Sequence, residues 1–379
     1  MPIRVAVAGL GNCASALIQG IEHYRYSSPE EAIGLMHWEM GGWRPGDIEV
    51  VAAFDIDRRK VGRPLHEAVF APPNCCLRIV ERLPQSQVIV QMAPPLDGVA
   101  PHMAEFPAER RFEVADEPPV DVADALREAR ADILLNYLPV GSEQATRYFA
   151  RCCLEAGVAL INCIPVFIAS DQMWARKFER QNLPVIGDDV KSQLGATIIH
   201  RTLARLFADR GLKISRTYQL NVGGNTDFLN MLSRERLTNK KISKTEAVQS
   251  QLDPPLPAEN IHIGPSDYVP WQGDNKVCFI RVEAQGFAGA PVELELRLSV
   301  QDSPNSAGIV IDAIRYCHLA RQAGIGGPLL PIAAYCMKHP PVQMDEKAAR
   351  EQIENFLTLQ AGAEPAPRYG SQAETTRQL

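Results

Sequence analysis

The stretch that decides the fold opens the chain and reads Ile3-Arg4-Val5-Ala6-Val7-Ala8-Gly9-Leu10-Gly11-Asn12-Cys13-Ala14. An apolar run typical of a buried strand leads into a Gly-x-Gly-x-x-Ala pattern. In this pattern Gly9 permits a tight turn, Gly11 lets a pyrophosphate approach the backbone, and Ala14 lets the next helix pack closely. The stretch therefore predicts the opening unit of a dinucleotide-binding domain. An ordinary strand, turn and helix built from small residues is the alternative.

The next strand supports dinucleotide binding. A second apolar run, Ile48 to Phe54, ends at Asp55. An acid at this position can accept hydrogen bonds from a ribose hydroxyl, which favours NAD over NADP. Asp55 lies further along than the usual ~20 residues, because an insert containing Trp38 and Trp43 precedes the strand. The predicted cofactor-binding residues are Gly9, Gly11, Asn12, Cys13, Ala14 and Asp55.

Strand-like and helical patterns alternate through the first half of the chain. Helical stretches lie at 15–23, 122–129, 142–156 and 172–181, and further strand-like runs lie at 88–90, 133–137, 159–164 and 185–186. Strands that alternate with helices form βαβ units around a parallel sheet. We therefore expect an α/β protein with a Rossmann-like, doubly wound sheet.

The pattern changes after about residue 212. Two strand-like runs follow at 277–284 and 292–300, and the second alternates apolar with polar residues, as does a half-buried strand. A helix is expected at 309–323. We predict a cofactor domain from residues 1–200 and 302–360, and a second α+β domain with a mixed, largely antiparallel sheet from 201–301. Residues 361–379, rich in Ala, Pro, Gln, Thr and Gly, are expected to form a flexible tail.

Composition excludes several classes of protein. A net charge of −6 argues against general nucleic-acid binding. No apolar run reaches the roughly 18–20 residues of a membrane helix, and no signal peptide is apparent. Nine cysteines without a CxxC pair fit reduced thiols in the cytoplasm better than a disulfide framework or a zinc site.

The middle of the chain carries an unusual polar segment, Leu220-Asn221-Val222-Gly223-Gly224-Asn225-Thr226-Asp227-Phe228-Leu229-Asn230, followed by closely spaced lysines. Lys240 and Lys244 are four residues apart and would share one face of a helix. Solvated surface lysines are the alternative, but the preceding amides and glycines favour chemistry beside a bound cofactor.

A second acidic segment, Gly187-Asp188-Asp189-Val190-Lys191-Ser192, follows a strand-like run. Ligands bind at the carboxyl ends of parallel strands, so its two acids could orient a ribose or nicotinamide or help to hold a cation. A solvated turn before a capped helix is the alternative.

Motifs spread in order over residues 3–341 carry a resemblance to a known family. They comprise 9–15 (GLGNCAS), 137–143 (YLPVGSE), 165–169 (PVFIA), 187–192 (GDDVKS), 220–225 (LNVGGN), 240–245 (KKISKT), 264–267 (GPSD), 302–308 (DSPNSAG) and 324–328 (GIGGP). On these motifs the chain resembles the inositol-phosphate synthases, in particular the shorter bacterial type.

The resemblance implies an isomerase that binds NAD and a hexose phosphate together and converts glucose 6-phosphate to myo-inositol 1-phosphate. In such enzymes NAD oxidises the C5 hydroxyl, and the resulting ketone acidifies the C6 proton. The enolate attacks the C1 aldehyde, a carbocycle closes, and the hydride returns from NADH. The resemblance also implies a homotetramer assembled on the second sheet, and it leaves a cation as a further candidate ligand.

The resemblance assigns roles to individual residues. The family's active-site lysines fall on Lys240, Lys244, Lys276 and Lys338, and the matching acids on Asp189, Asp227 and Asp302. Lys244 is the predicted proton-transfer group at the C5 oxygen. Lys276 and Lys338 would hold the C1 oxygen and the enolate, and Lys240 would share this role or bind phosphate.

Further residues are assigned to ligand binding on the same ground. Ser142, Asp188 and Ser192 join the predicted cofactor-binding residues, with Ser192 also close to the phosphate. The predicted substrate-binding residues, whose region would offer amides to the phosphate, are Asn221, Gly223, Gly224 and Asn225.

The chain departs from the bacterial pattern at four places. Met92-Ala93-Pro94-Pro95 replaces a stretch that usually carries Arg-Gly, Cys163 replaces an alanine, and Thr226 replaces a methionine. Gly273-Asp274-Asn275 replaces the Asp-Asp-Arg that usually precedes the lysine at position 276. A change of charge there can retune the lysine pKa, or it can be neutral drift on a loop.

These departures keep three alternatives open. The first is a paralogous cyclase that acts on another hexose phosphate, such as fructose 6-phosphate, and forms a different, five-membered carbocycle for secondary metabolism. The second is a plain NAD dehydrogenase that releases NADH. The third is a non-catalytic NAD-binding or assembly protein, against which the four lysines argue.

Overall fold

Two sheets organise the protein, for which the computed structural model describes residues 1–264 and 267–362. Apart from residues 361–362, which end the last helix, the predicted tail lies outside the described residues. The helices are α1 (Asn12–Arg25), α2 (Leu65–Ala68), α3 (Val122–Glu128), α4 (Glu143–Ala156), α5 (Gln172–Arg180), α6 (Ala196–Asp209), α7 (Thr226–Asn230), α8 (Thr238–Gln249), α9 (Asp302–Gln322), α10 (Leu330–Cys336) and α11 (Glu346–Gly362). None of these described helices is long and apolar enough to cross a bilayer.

The first sheet is parallel throughout. Its strands are β1 (Ile3–Ala8), β2 (Ile48–Asp55), β3 (Gln91–Met92), β4 (Ile133–Asn136), β5 (Ala159–Asn162), β6 (Pro184–Ile186) and β12 (Gly327–Pro328). They lie in the order β12-β6-β5-β4-β1-β2-β3. The order reverses between β1 and β4, where doubly wound sheets bind their ligands. The predicted fold class is confirmed.

Helices cover both faces of this sheet. Leu17 of α1, Ile311 of α9 and Ile332 of α10 belong to the apolar core on one face. Leu126 of α3 and Phe149 of α4 belong to the core on the other face. The strands are therefore buried on both sides, which explains why they read as apolar runs rather than as alternating patterns.

The second sheet is mixed. Its strands are β7 (Lys213–Gly223), β8 (Ile261–Ile263), β9 (Asp267–Tyr268), β10 (Asn275–Gln285) and β11 (Pro291–Gln301). β10 is antiparallel to β7 and β11, whereas β8 and β9 run parallel to β7. The chain then returns to the first sheet through α9, so we propose that the two sheets are the cores of the two domains predicted from the sequence.

Two predicted elements differ from the structure. Residues 88–90 make only an isolated bridge between Ile89 and Pro64, and pairing with β2 begins at Gln91. The helix expected at 309–323 begins seven residues earlier, at Asp302. Its first two turns are polar and include Pro304, so they lack an apolar pattern, although proline is well tolerated in the first turn of a helix.

Candidate active site

One cleft joins the glycine turn to the lysines. It lies at the carboxyl ends of β1 and β4, where the order of the first sheet reverses, and its far wall comes from the second sheet and α8. Twelve of the predicted site residues line it: Gly11, Asn12, Cys13, Asp189, Ser192, Asn225, Asp227, Lys240, Lys244, Lys276, Asp302 and Lys338.

The glycine turn has the geometry that a dinucleotide requires. Gly9 has a φ of 88°, and a Cβ there would lie 2.8 Å from the carbonyl oxygen of Tyr137, the residue that follows β4. A Cβ on Gly11 would meet nothing within 4 Å, so this side of the turn is open. α1 begins directly after it without a side-chain cap, which leaves the amides of its first turn available to a pyrophosphate. Ala14 is fully buried, as close packing of the helix requires.

The acid at the end of β2 supports the turn. Asp55 accepts hydrogen bonds from the amides of Leu10 and Ile56, both at 2.7 Å. The sequence did not single out Lys60, which is buried and donates to the Leu10 carbonyl at 2.6 Å. Burial lowers the pKa of this lysine. Its position three residues after Asp57 and five after the end of β2 matched no motif by which to find it.

The side chains of the two residues after Gly11 make internal contacts. The Asn12 side chain accepts from the amide of Cys75 at 2.6 Å. The Cys13 Sγ lies 3.9 Å from the Ser303 hydroxyl and 3.8 Å from that of Ser306, on the first turns of α9. These contacts fix the turn between a loop after β2 and the start of α9, so a bound dinucleotide would meet mainly its backbone.

Asp189 organises two of the four lysines. Its Oδ1 accepts from the Nζ of Lys240 at 2.9 Å and from the Nζ of Lys338 at 3.0 Å. The other oxygen accepts from the Ser243 hydroxyl. Burial raises the pKa of this carboxyl, but the two lysines outweigh burial and hold the pKa well below its usual range. Asp189 is therefore an anion throughout the physiological range and keeps both ammonium groups in the cleft.

Backbone pairing brings Lys338 to this anion. Segment 188–191, which follows β6, lies antiparallel to segment 336–339, which follows α10. The Lys338 amide donates to the Asp189 carbonyl at 2.7 Å, and the Lys191 amide donates to the Cys336 carbonyl at 2.7 Å. Two segments about 150 residues apart in sequence thus form one rigid wall of the cleft.

A second ion pair lies opposite. Lys276 on β10 contacts Asp302, the first residue of α9, at 3.0 Å. Burial raises the pKa of the Asp302 carboxyl, but Lys276 outweighs burial and the net shift is downward. Asp227 at the start of α7 has no such close cation, and burial raises its pKa. The Val140 amide points at Asp227 from 3.5 Å.

Lys244 differs from the other three lysines. Its side chain is only 5% exposed, yet it makes no ion pair or hydrogen bond with any residue in the described part of the chain. Burial, reinforced by the charges of Lys276 and Lys240, lowers its pKa well below the usual value. The lowered pKa favours the neutral amine, which can accept a proton, whereas the other three lysines each contact a carboxylate and are placed to stabilise oxyanions.

Five predicted cofactor residues lie outside the cleft lining, namely Gly9, Ala14 and Asp55, which belong to the glycine turn and its support, and Ser142 and Asp188. The fully buried Asp188 carboxylate accepts from Asn162, from the amides of Ile168 and Ala169, and from both the amide and hydroxyl of Ser170. It therefore fixes the loop after β5. Ser142 is also fully buried, and its carbonyl accepts from the Thr146 hydroxyl at 2.7 Å.

The glycine-amide segment has a packing role in the structure. A Cβ on Gly223 would lie 2.5 Å from the Phe228 ring, and one on Gly224 would lie 2.4 Å from the Val269 carbonyl oxygen. The Gly224 amide donates to Gly273, so it is already engaged and does not point at a ligand. Asn221 is 2% exposed on β7, away from the cleft lining. Only Asn225 of the four predicted substrate residues lines the cleft.

Asp274 is the acid that sequence reasoning passed over as part of a variable loop. It is 3% exposed and accepts from Asn225 Nδ2 at 2.9 Å and from the Ser303 hydroxyl at 2.8 Å. Burial and the nearby charge of Asp302 raise its pKa to about 6. It joins the turn before α7 to the start of α9. The only signal in the sequence was its position two residues before Lys276.

A family model and close relatives match this chain. The model described as myo-inositol-1-phosphate synthase matches residues 195–303, which include most of the second sheet. Inositol-3-phosphate synthase of Mycobacterium tuberculosis is 51% identical over 356 residues, 94% of this chain and 95% of its own. The chain belongs to the myo-inositol-1-phosphate synthase family. Membership makes it an enzyme, an isomerase of the inositol-3-phosphate synthase type.

Solved structures agree with this membership. The crystal structure of Ari2 is 35% identical with a TM-score of 0.74, and the match covers 94% of this chain and 100% of that one. A myo-inositol-1-phosphate synthase-related protein from Thermotoga maritima, 24% identical, has the same fold, with a TM-score of 0.76 over 94% of this chain and 99% of its own. The sequence relatives confirm the family predicted from the motifs, and the solved structures confirm the Rossmann-like architecture.

Proposed function

We propose that the enzyme is an NAD-dependent carbocyclase that converts glucose 6-phosphate to an inositol monophosphate. The observation that carries this proposal is the shared cleft, in which a dinucleotide turn faces four lysines and three carboxylates. A bound NAD would supply the reversible acceptance of hydride at C5. Gly9, Gly11 and the first turn of α1 would hold its pyrophosphate, and Asp55 would orient its ribose.

Proton transfer at C5 falls to Lys244. Oxidation of an alcohol requires a base for the hydroxyl proton, and re-reduction requires an acid for the same oxygen. A buried amine whose pKa is lowered, and which has no carboxylate partner among the described residues, can do both. Asp227, which also lines the cleft, would orient the substrate hydroxyls.

Negative charge that develops later in the reaction needs fixed cations. Enolisation at C6 and aldol closure at C1 place it on two different oxygens, and preorganised cations stabilise such charge most effectively. Lys276, held by Asp302, and Lys338, held by Asp189, are suitable donors for these oxygens. Lys240 would share this role or bind the phosphate. Among the described residues no group of three His, Cys, Asp or Glu side chains could hold a metal ion.

The proposal predicts a redox-neutral reaction. With glucose 6-phosphate and NAD far below the substrate concentration, product should exceed NAD many-fold while absorbance at 340 nm stays flat. NMR of the product identifies the carbocycle. NADH that rises in step with product would instead show a dehydrogenase. Absence of turnover on every hexose phosphate tested would favour a non-catalytic protein.

A second candidate function has a structural basis. Cys163 and Thr226, two of the departures from the bacterial pattern, both line the cleft. Side chains that touch the substrate volume set which isomer fits. The second candidate is therefore a paralogous cyclase that closes fructose 6-phosphate to a five-membered ring. The same assay with fructose 6-phosphate tests it. Faster turnover of fructose 6-phosphate than of glucose 6-phosphate would select this alternative.

A homotetramer built on the second sheet is also proposed. Leu220 of β7 and Phe279 of β10 are cross-strand partners, and both are about two-fifths exposed, at 41% and 42%. Such a paired apolar patch on a sheet face favours burial against another chain. Size-exclusion chromatography with light scattering should give four times the chain mass of 41.8 kDa. A monomer at micromolar concentration would contradict the assembly.

The cellular setting proposed is the cytoplasm. All nine cysteines are free thiols, and they lie within the described part of the chain. Reduced thiols are typical of cytoplasmic proteins, where a sugar phosphate would also be available.

A further inference from the structure

A buried charge cluster lies next to the wall of the cleft that segments 188–191 and 336–339 form. Glu346, on the first turn of α11, contacts the Nζ of Lys191 at 3.0 Å and the Nε of Arg201 at 3.2 Å. The two cations are almost completely buried, at 1% and 2% exposure. We call Lys191, Arg201 and Glu346 the rear cluster. One carboxylate therefore compensates two cations that water barely reaches.

Arg201 of the rear cluster joins the catalytic helix to the C-terminal segment. Its guanidinium donates to the carbonyl of Ala247 on α8 at 2.9 Å, and α8 carries Lys240 and Lys244. It also donates to the Gln343 side chain at 2.9 Å and to the Met344 carbonyl at 2.7 Å.

Lys191 and Gln343 continue these contacts to the cleft. The Lys191 Nζ donates to the Ala334 carbonyl at 2.7 Å, and its backbone pairs segment 188–191 with segment 336–339. Gln343 Nε2 donates to the Lys338 carbonyl at 2.8 Å. Both sets of contacts lead to the ion pair of Lys338 and Asp189. The position of Lys338 therefore depends on the rear cluster.

We propose that Glu346 is a positioning residue. It acts through Lys191 to keep Lys338 in contact with Asp189, and through Arg201 to keep α8 next to this pair. This inference rests on the proposed function. Loss of its charge removes the one carboxylate that contacts the two buried cations within the described residues, which is strongly unfavourable. Segment 336–344 would then shift, and Lys338 would move away from Asp189. Displacement of a reacting group by about 1 Å can lower a rate by up to ~100-fold.

The test is Glu346→Gln, which keeps the size of the side chain and removes its charge. We expect kcat to fall by roughly ten- to a hundredfold, with the Kd for NAD within about twofold, because the glycine turn is not part of the cluster. Glu351→Gln is the matched control. It lies on the same helix, its one ion-pair partner within the described residues is the exposed Lys347, and the variant should behave like wild type. Glu346→Asp, which restores the charge, should recover part of the activity.

The pH profile separates positioning from general destabilisation. Burial lowers the Lys338 pKa to about 8, while Asp189 raises it. If the charged form is required, kcat falls as pH rises through this value, and loss of the Asp189 contact should move the fall to lower pH. The other titratable or charged groups that face Lys338 are Lys240, Lys244, Lys276, Asp302 and Cys163. Asp189 is the carboxylate that contacts the Lys338 Nζ, at 3.0 Å, so loss of this contact is expected to decide the direction of the shift.

Two measurements keep the outcomes distinct. Glu346→Gln with wild-type kcat, or with a lower kcat but an unmoved alkaline limb, would overturn the positioning role. If the wild type itself turns over no hexose phosphate, the proposed function fails. The inference is then judged by hydrogen exchange of peptides covering 333–346, which should be faster in Glu346→Gln than in Glu351→Gln. Equal exchange in the two variants would refute it.

Discussion

Lys244→Ala is expected to abolish most turnover while the Kd for NAD stays nearly unchanged. Loss of one preorganised group at a reacting oxygen costs about 10²- to 10³-fold in kcat, and loss of proton transfer adds to this. The physical reason is specific to this lysine, since it alone of the four cleft lysines has no ion-pair partner among the described residues, and burial lowers its pKa. Product formation in a coupled assay and NAD titration by fluorescence measure the two quantities.

Lys241→Ala is the control for this variant. Lys241 lies on the same helix, three residues before Lys244, but it is exposed whereas Lys244 is buried. It should retain most of the activity. Equal losses in the two variants would show that the catalytic face of α8 has been placed wrongly. Near wild-type activity of Lys244→Ala would remove this residue from the proton-transfer step.

Asp189→Asn is expected to lower kcat by about 10²-fold or more. The substitution keeps the shape and one oxygen but removes the charge that holds Lys240 and Lys338 on the same atom. Without it the two ammonium groups repel each other across a buried site, and the Lys338 pKa should fall below its value of about 8. Activity should therefore drop most steeply on the alkaline side. Steady-state rates between pH 6 and 9 test this.

The matched control is Asp209→Asn, at the end of α6. Asp209 pairs with Arg205 on the surface, where both side chains are more than half exposed, and such pairs contribute little. Thermal unfolding of both variants by circular dichroism verifies that they are folded. If Asp189→Asn is folded, active and has a wild-type pH profile, Asp189 is not the residue that organises the lysines.

The local patterns in the sequence were sufficient for the fold and the family. The apolar run before Gly9 and the glycine spacing after it predicted the first strand, turn and helix, because each depends on neighbouring residues. The confirmed family followed from long motifs in order. The exceptions are informative. The start of α9 was missed because its polar first turns, around Pro304, carry no apolar period.

Other features depended on contacts between distant segments. Lys240 and Lys338 meet at Asp189 across 51 and 149 residues, and no spacing rule relates such positions. Lys244 and Lys240 share one helix, yet only tertiary packing leaves the first without a described partner and gives the second a carboxylate. The glycines at 223 and 224 remain predicted phosphate ligands, and the structure adds a packing reason for them, since a Cβ at either position would collide with the Phe228 ring or the Val269 carbonyl.

The sequence by itself determined which chemical groups are present and which local elements carry them. The tertiary structure decided how those groups are charged. Burial and neighbouring charges set each pKa, and both depend on chain segments far away in sequence. The same side chain, lysine, is therefore a fixed cation beside Asp189 or Asp302 and a candidate base at position 244.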